Sequence, residues 1–374
     1  STGGCFNPFP AGTFAATDVV LCRRGVVSRV IRGDNVRAGG GGGVILYNTV
    51  PEQGLKTDNY VIPAVHVRNA TGLAIKGYIA AHPGEVMVSF TPGIKAIEES
   101  DGRVTSDVLA DFSSRGPNGT VIDIIKPDIT APGVQILAGN TPQCIDPDGA
   151  CGAPGELFQA IQGTSMSSPH VAGVGALLSA LHPDWSPSEI ESAMMTTANT
   201  THVKEDGSTP ADPFDMGGGR IDVSQAATAP LLLHETNANY LAANPGAGGD
   251  SKTLNNASLG NGHCVVACSW TRTVRNSTVH EVTWDASVTG LTGTVNPASF
   301  TLEPGATQLF TATVSTAGLE GDVWAFGALE IVPQTGGGVP GDLPSSRLPI
   351  AVRPEAGSLQ ESININTRRD AGSY

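Results

Sequence analysis

Residues 163–173 read Gly-Thr-Ser-Met-Ser-Ser-Pro-His-Val-Ala-Gly. Ser165 lies between a turn-forming Gly163 and a helix-compatible stretch, with Pro169 in the expected first turn. Proline costs little there, because first-turn N–H groups have no intrahelical partner. The spacing therefore predicts a serine hydroxyl at a helix N-terminus, where backbone dipoles favour developing negative charge. Such a position suits a nucleophile that must carry an oxyanion beside it.

A serine hydroxyl needs a base, and the base needs an orienting acid. His170 follows Ser165 by five residues, roughly 140° around a helix and about 7.5 Å along it. That separation excludes it as the base and predicts a packed helix histidine. His182, at the end of the same helix, reads as a surface residue complementing the helix dipole. His66, His82, His202, His234, His263 and His280 have no motif around them and read as structural or solvated. The esterase elbow Gly-X-Ser-X-Gly fails at Ser167, which stands where the last glycine should be. The small residues Ala172, Gly173, Gly175 and Ala176 predict a tightly buried helix.

The run around Ser165 resembles the nucleophile motif of the subtilisin-like serine proteases, the subtilases. Asp111-Phe112-Ser113-Ser114-Arg115-Gly116-Pro117 and Lys126-Pro127-Asp128-Ile129-Thr130-Ala131-Pro132-Gly133-Val134 resemble core strands and loops of that family. Gly217-Gly218-Gly219-Arg220-Ile221-Asp222-Val223 resembles its last core strand. The resemblance implies peptide-bond hydrolysis through an acyl-enzyme at Ser165, acting on protein or peptide substrates. The family surrounds its Asp with Asp-Ser/Thr-Gly and its His with His-Gly-Thr-His. Neither motif occurs in these 374 residues. The catalytic Asp, His and oxyanion Asn are thus expected in an N-terminal portion preceding Ser1, and Ser165 is the one catalytic position carried over. The alternative is a non-catalytic pseudoenzyme or protein-binding module that has kept the serine. The resemblance implies no cofactor. Calcium sites are common in the family, but no loop here names one.

Around this motif the chain divides into three. Residues 1–92 alternate strand and helix: Val19-Val20-Leu21-Cys22 and Val44-Ile45-Leu46-Tyr47 read as strands, with helical periodicity over Val26 to Ala38 between them. Gly39–Gly43 reads as a helix C-cap and turn, since it ends a helix and lacks the following Lys-Ser/Thr of a phosphate loop. Tyr60–Val65 and Val86–Phe90 read as further strands. This segment resembles a protease-associated domain, N-terminally truncated. Residues 93–230 resemble the C-terminal half of the subtilase catalytic domain. There Ser186-Pro187-Ser188-Glu189 predicts a capped helix to about Thr197. Residues 231–374 alternate in short strands broken by turns, which indicates a β-sandwich. They resemble a fibronectin-III-like domain followed by a polar tail. The fold class is therefore α/β: a partial subtilase parallel-sheet core, an α/β insert and a C-terminal β-sandwich. Residues 93–230 alone are expected to be poorly soluble and 231–354 to fold independently.

Composition agrees with a multidomain globular chain, at 40% hydrophobic residues. No apolar run reaches membrane-spanning length. The net charge of −14, from 21 basic and 35 acidic residues, argues against a nucleic-acid partner. Six cysteines fall as close pairs, Cys5/Cys22, Cys144/Cys151 and Cys264/Cys268, which suggests disulfides that brace loops in an oxidising, extracellular setting. Zinc at His263, Cys264 and Cys268 would lack a fourth ligand. Asn69, Asn118, Asn199, Asn256 and Asn276 each begin an Asn-X-Ser/Thr sequon. Nothing in the sequence fixes an oligomeric state.

Overall fold

The computed structural model describes residues 3–51, 53–56, 58–90, 106–143, 155–334, 341 and 343–355. It divides into two compact units. The first comprises residues 1–114, 130–177 and 201–211, and the second 115–129, 178–200 and 212–374.

The first unit opens with β1 (Val19–Arg23), α1 (Ile31–Ala38), β2 (Gly43–Tyr47), β3 (Ala64–Val67) and α2 (Asn69–Ala81). The three strands form a parallel sheet in the order β1-β2-β3. β2 is buried along its whole length, as its unbroken apolar run requires. Cys5, Cys22, Val36, Val44 and Leu46 form the core, and the Cys5–Cys22 disulfide ties the N-terminal arm to β1. The five glycines do end a helix. Gly40 sits at φ +97, and a Cβ on Gly42 would run into the Ala16 carbonyl, so the return from α1 to β2 requires residues without side chains. Four expectations change here. The strand read over Tyr60–Val65 forms only from Ala64. α1 starts at Ile31, five residues later than the periodicity suggests. Val86–Phe90 forms no strand. α2 occupies a stretch whose Gly72 and Gly77 dilute any helical signal; Gly72 is needed because a Cβ there would overlap the Tyr47 ring.

His66 on β3 accepts a hydrogen bond at Nδ1 from the Lys56 N–H (3.0 Å), while Nε2 faces Asn48 Oδ1 at 2.8 Å. That pairing fixes a neutral ring with its proton on Nε2. Burial pushes the imidazole down from 6.5 to about 4; the Lys56 carbonyl opposes the shift and the charges of Arg24 and Arg29 add to it. With the folded value below the unfolded one, the unfolded chain binds more protons between these values. Stability is therefore lost as pH falls from about 6.5 towards about 4, by about 1–2 kcal/mol after allowance for partial exposure. In an NMR titration the His66 ring should stay neutral at pH values where a free imidazole is already charged. Protonation of His66 near 6.5 would contradict this.

Continuing the first unit, β4 (Ile136–Gly139) and β5 (Phe158–Ile161) pair antiparallel, and α3 (Thr164–Leu181) follows directly, its last turn lying in the second unit. The second unit continues with α4 (Pro187–Thr196), α5 (Pro213–Met216) and α6 (Val223–Ala227). α4 carries the expected capping box: Ser186 Oγ accepts the Glu189 N–H and the Glu189 carboxylate accepts the Ser186 N–H. Burial of Glu189 opposes its ionisation, but the Ser186 N–H and the Arg275 guanidinium (2.7 Å) outweigh that and hold its carboxyl below the usual range. Gly217–Val223 is not a strand. Gly217 and Gly219 take φ +61 and +127, where a Cβ would strike the backbones of Asp128 and Asn199. The triple glycine therefore builds a close-packed turn before α6.

The sandwich begins with β6 (Leu231–Leu233) and α7 (Asn237–Ala242), then β7 (Leu259–Cys264), β8 (Ala267–Asn276), β9 (Val282–Thr289), β10 (Gly293–Asn296), β11 (Ser299–Leu302), β12 (Thr307–Ser315), β13 (Ala325–Pro333) and β14 (Ser346–Pro354). A four-stranded sheet runs β10-β12-β8-β6 and a five-stranded sheet β11-β9-β13-β14-β7. All pairings are antiparallel except β14 with β7. The two sheets bury Trp270, Trp284, Phe310, Leu329 and Ile350 in one core. Residues along β8 alternate between exposed and buried, as a half-buried strand requires. Trp324 lies outside that core and packs edge-on against Phe214 at 4.8 Å. Cys264 and Cys268 form a disulfide, which settles the zinc alternative against a metal. Cys144 and Cys151 lie outside the described residues.

Candidate active site

Ser165 is the second residue of α3 and is exposed. Gly163 precedes the helix at φ +156; its N–H donates to the Gly133 carbonyl (2.9 Å), and its own carbonyl accepts the Met166 N–H (2.9 Å). Gly133 lies so close to the first turn that a Cβ would collide with Ser167 Oγ. Gly133 is thus packed against the serine turn. Ser165 itself stands in the first turn of α3, where the partial positive charge of a helix N-terminus is concentrated.

Pro169 is the sixth residue of α3, beyond the first turn where the sequence suggested it. A residue at 169 would normally donate to the Ser165 carbonyl. Proline cannot, so the break in the ladder falls on the carbonyl of the proposed nucleophile itself.

His170 is an exposed residue, not a packed one, and its Nδ1 lies 2.7 Å from the Met166 carbonyl. In the same unit His66 is engaged as described, His82 stacks on Tyr78 at 4.3 Å, and His202 is buried 3.9 Å from Asp107. In the second unit His182 stacks on Trp185 at 3.8 Å and lies 2.9 Å from the Ala227 carbonyl, so it packs and does not merely complement a dipole. His234 bonds Ser186 Oγ, and His263 bonds Glu355. No base is assembled on Ser165 by these contacts. Among the described residues no three His, Cys, Asp or Glu side chains converge as metal ligands. No helix among them is long and apolar enough to cross a membrane.

Gly54, Lys56 and Asn59 make contacts that sequence reasoning missed. Gly54 N–H donates to Asp111 Oδ2 (3.2 Å), and Lys56 Nζ sits 3.8 Å from Asp111 Oδ1 and 4.5 Å over the Phe112 ring. Asn59 Nδ2 donates to the Phe158 carbonyl at 3.0 Å. One loop of the N-terminal α/β segment thereby holds both the Asp111–Phe112 loop and β5, the strand that leads into Ser165. Burial lowers the Lys56 ammonium pKa and the Asp111 carboxylate opposes the shift. The partners lie far apart in sequence, so no local pattern announces them.

Residues 47–219 match the profile of the subtilase family (Peptidase_S8), and residues 1–75 match that of the PA domain. Residues 47–219 belong to the subtilase family. Subtilisin-like protease SBT1.7 of Arabidopsis thaliana is 40% identical over 239 residues, covering 60% of this chain and 30% of that protein. SBT1.6 of the same plant is 39% identical over 232 residues, with the same coverage. The chain thus spans about 30% of the length of these curated subtilase relatives. Among solved structures, the E. coli chaperone DraB covers 26% of this chain and 52% of its own, at 17% identity and a TM-score of 0.22, and nothing follows from so slight a likeness.

Proposed function

We propose that this chain is the nucleophile-bearing part of a secreted serine endopeptidase. The observation that carries the reading is Ser165 at the N-terminus of α3 inside a segment of the subtilase family. Ser165 Oγ attacks the peptide carbonyl carbon and passes its proton to a histidine supplied by residues outside these 374. The tetrahedral oxyanion is held by the unpaired N–H groups of the helix start, together with an outside Asn side chain. The C–N bond then breaks, the amine leaves with the proton, and water hydrolyses the acyl-enzyme. Residues 1–92 are read as the protease-associated domain, 93–230 as the C-terminal half of the catalytic domain, and 231–374 as a fibronectin-III-like sandwich and tail. The Cys5–Cys22 and Cys264–Cys268 disulfides support an extracellular setting.

The surface of α3 supports a core that extends past this chain. Of its apolar residues only Val174 and Leu178 are buried; Leu177 and Leu181 are 62% and 58% exposed. A Cβ on Gly173 would meet nothing within 4 Å, and Ala172, Gly173 and Ala176 are exposed, so these small residues, predicted to pack tightly, are uncovered here. In the complete protease this face is covered. Leu177→Glu should therefore raise the soluble yield of the 374-residue chain, yet destabilise the complete enzyme by about 3 kcal/mol, since it would bury a carboxylate. An unchanged melting temperature of the complete enzyme would contradict the covered face.

The function itself is tested with quenched fluorescent peptides. The complete protein should cleave them, and residues 1–374 alone should not. A complete protein that folds, binds peptides and cleaves none would instead favour the non-catalytic module.

A further inference from the structure

We propose that Asn118 carries an N-linked glycan and that Asn276, with the same sequon signature, stays bare. The proposal rests on the secretory setting argued above. Transfer forms a bond from the asparagine Nδ2 to C1 of a lipid-linked oligosaccharide diphosphate. The C1–O bond to phosphate breaks, the lipid diphosphate departs, and Nδ2 gives up one of its two hydrogens. The folded product must then accommodate a large substituent on Nδ2 and manage with one N–H.

Asn276 can do neither. It is 0% exposed, and its Nδ2 donates to the carbonyls of His280 (2.8 Å) and Leu302 (2.9 Å). Its Oδ1 accepts the Thr278 N–H (2.9 Å) and hydroxyl (2.8 Å), so the hydroxyl residue of the sequon is itself locked into this turn. Both amide hydrogens are spent inside the sandwich, and a glycan would break at least one bond and have no exit. The sequon at Asn276 is a structural asparagine that happens to precede Ser-Thr.

Asn118 has the opposite environment. Its Oδ1 accepts the N–H groups of Thr120 (2.9 Å) and Val121 (3.0 Å), which fixes the loop and leaves Nδ2 without a hydrogen bond among the described residues. Gly119 and Thr120 are exposed, and a Cβ on Gly119 would meet nothing within 4 Å. Asn118 itself is half-buried; its amide is held by the oxygen, and the two sequon residues that follow it are open to solvent. Asn69 is less suited, because its Nδ2 donates to the Asn48 carbonyl (3.0 Å). At Asn256 the following Ala257 and Ser258 are buried.

The test uses the complete protein, secreted from a eukaryotic host and treated with peptide:N-glycosidase in heavy-oxygen water, which tags each formerly glycosylated asparagine. The Asn118 peptide should be tagged and the Asn276 peptide untagged. Thr120→Ala, which keeps the Asn118 turn, should remove one glycan per chain. An untagged Asn118 in protein recovered from the medium overturns the proposal, and so does a tagged Asn276. Failure to reach the medium, with Cys5 and Cys22 reduced in the cell, overturns the secretory setting and the proposal with it.

Discussion

On the function proposed above, replacing Ser165 by alanine should lower kcat of the complete protein for peptide hydrolysis by about 10⁴- to 10⁶-fold and leave KM nearly unchanged. The loss corresponds to about 5–8 kcal/mol of transition-state stabilisation, because covalent catalysis and the proton transfer that serves it vanish together. The fold should not notice. Ser165 is exposed, and no described residue is hydrogen-bonded to its hydroxyl, so the change in stability should stay within about 0.5 kcal/mol. The two readings separate a nucleophile from a helix cap. A cap would cost about 1 kcal/mol of stability on removal, with activity falling only as folded protein falls. Thermal melting and peptide hydrolysis on the same sample distinguish them.

The second large effect lies in the sandwich. Arg272→Met should destabilise the second unit by about 3–5 kcal/mol. The side chain is 3% exposed and donates to four carbonyls: Asn256 (2.9 Å), Ser258 (2.9 Å), Thr271 (3.0 Å) and Lys252 (3.1 Å). Burial pushes the guanidinium down to about 10 against the opposing charge of Glu235, so it remains charged at neutral pH. Methionine fills similar space but leaves carbonyl oxygens unpaired in the interior, each costing about 1–3 kcal/mol unless water reaches it. Lysine should fall between, since an ammonium has three donors and no planar fork. Urea unfolding followed by tryptophan fluorescence reads this directly, with Trp270 and Trp284 in the same core. A loss below about 1 kcal/mol would show that the four carbonyls are satisfied without the guanidinium.

Much of the local structure was legible because it is written in adjacent residues. The Ser186–Glu189 capping box, the turn at Gly39–Gly43, the alternation along β8 and the serine at the start of α3 all rest on neighbours in the chain. The errors share a cause. Val86–Phe90 has strand composition but pairs with no strand among the described residues, and strand propensity describes a fit to a sheet, not a property of the segment. The triple glycine at 217–219 reads as part of a strand until the backbones of Asp128 and Asn199 are brought against it. The apolar α3 was expected to be buried, yet burial depends on what lies opposite. Pro169 marks a helix start in sequence, but the helix begins five residues earlier, at Thr164. The candidate site shows the same division. Ser165 announced itself through its own neighbours. The loop that ties Lys56 to Asp111 and Asn59 to Phe158 joins residues 55 and 99 positions apart, and nothing local encodes such a pairing.

The central claim is that Ser165 is an activated nucleophile. A fluorophosphonate probe should be incubated with the complete, folded protein and the adduct located by peptide mass spectrometry. The account predicts one labelled site, Ser165, with labelling abolished in Ser165→Ala and in heat-unfolded protein. Persistent absence of label on Ser165 in protein with a native melting transition would contradict it.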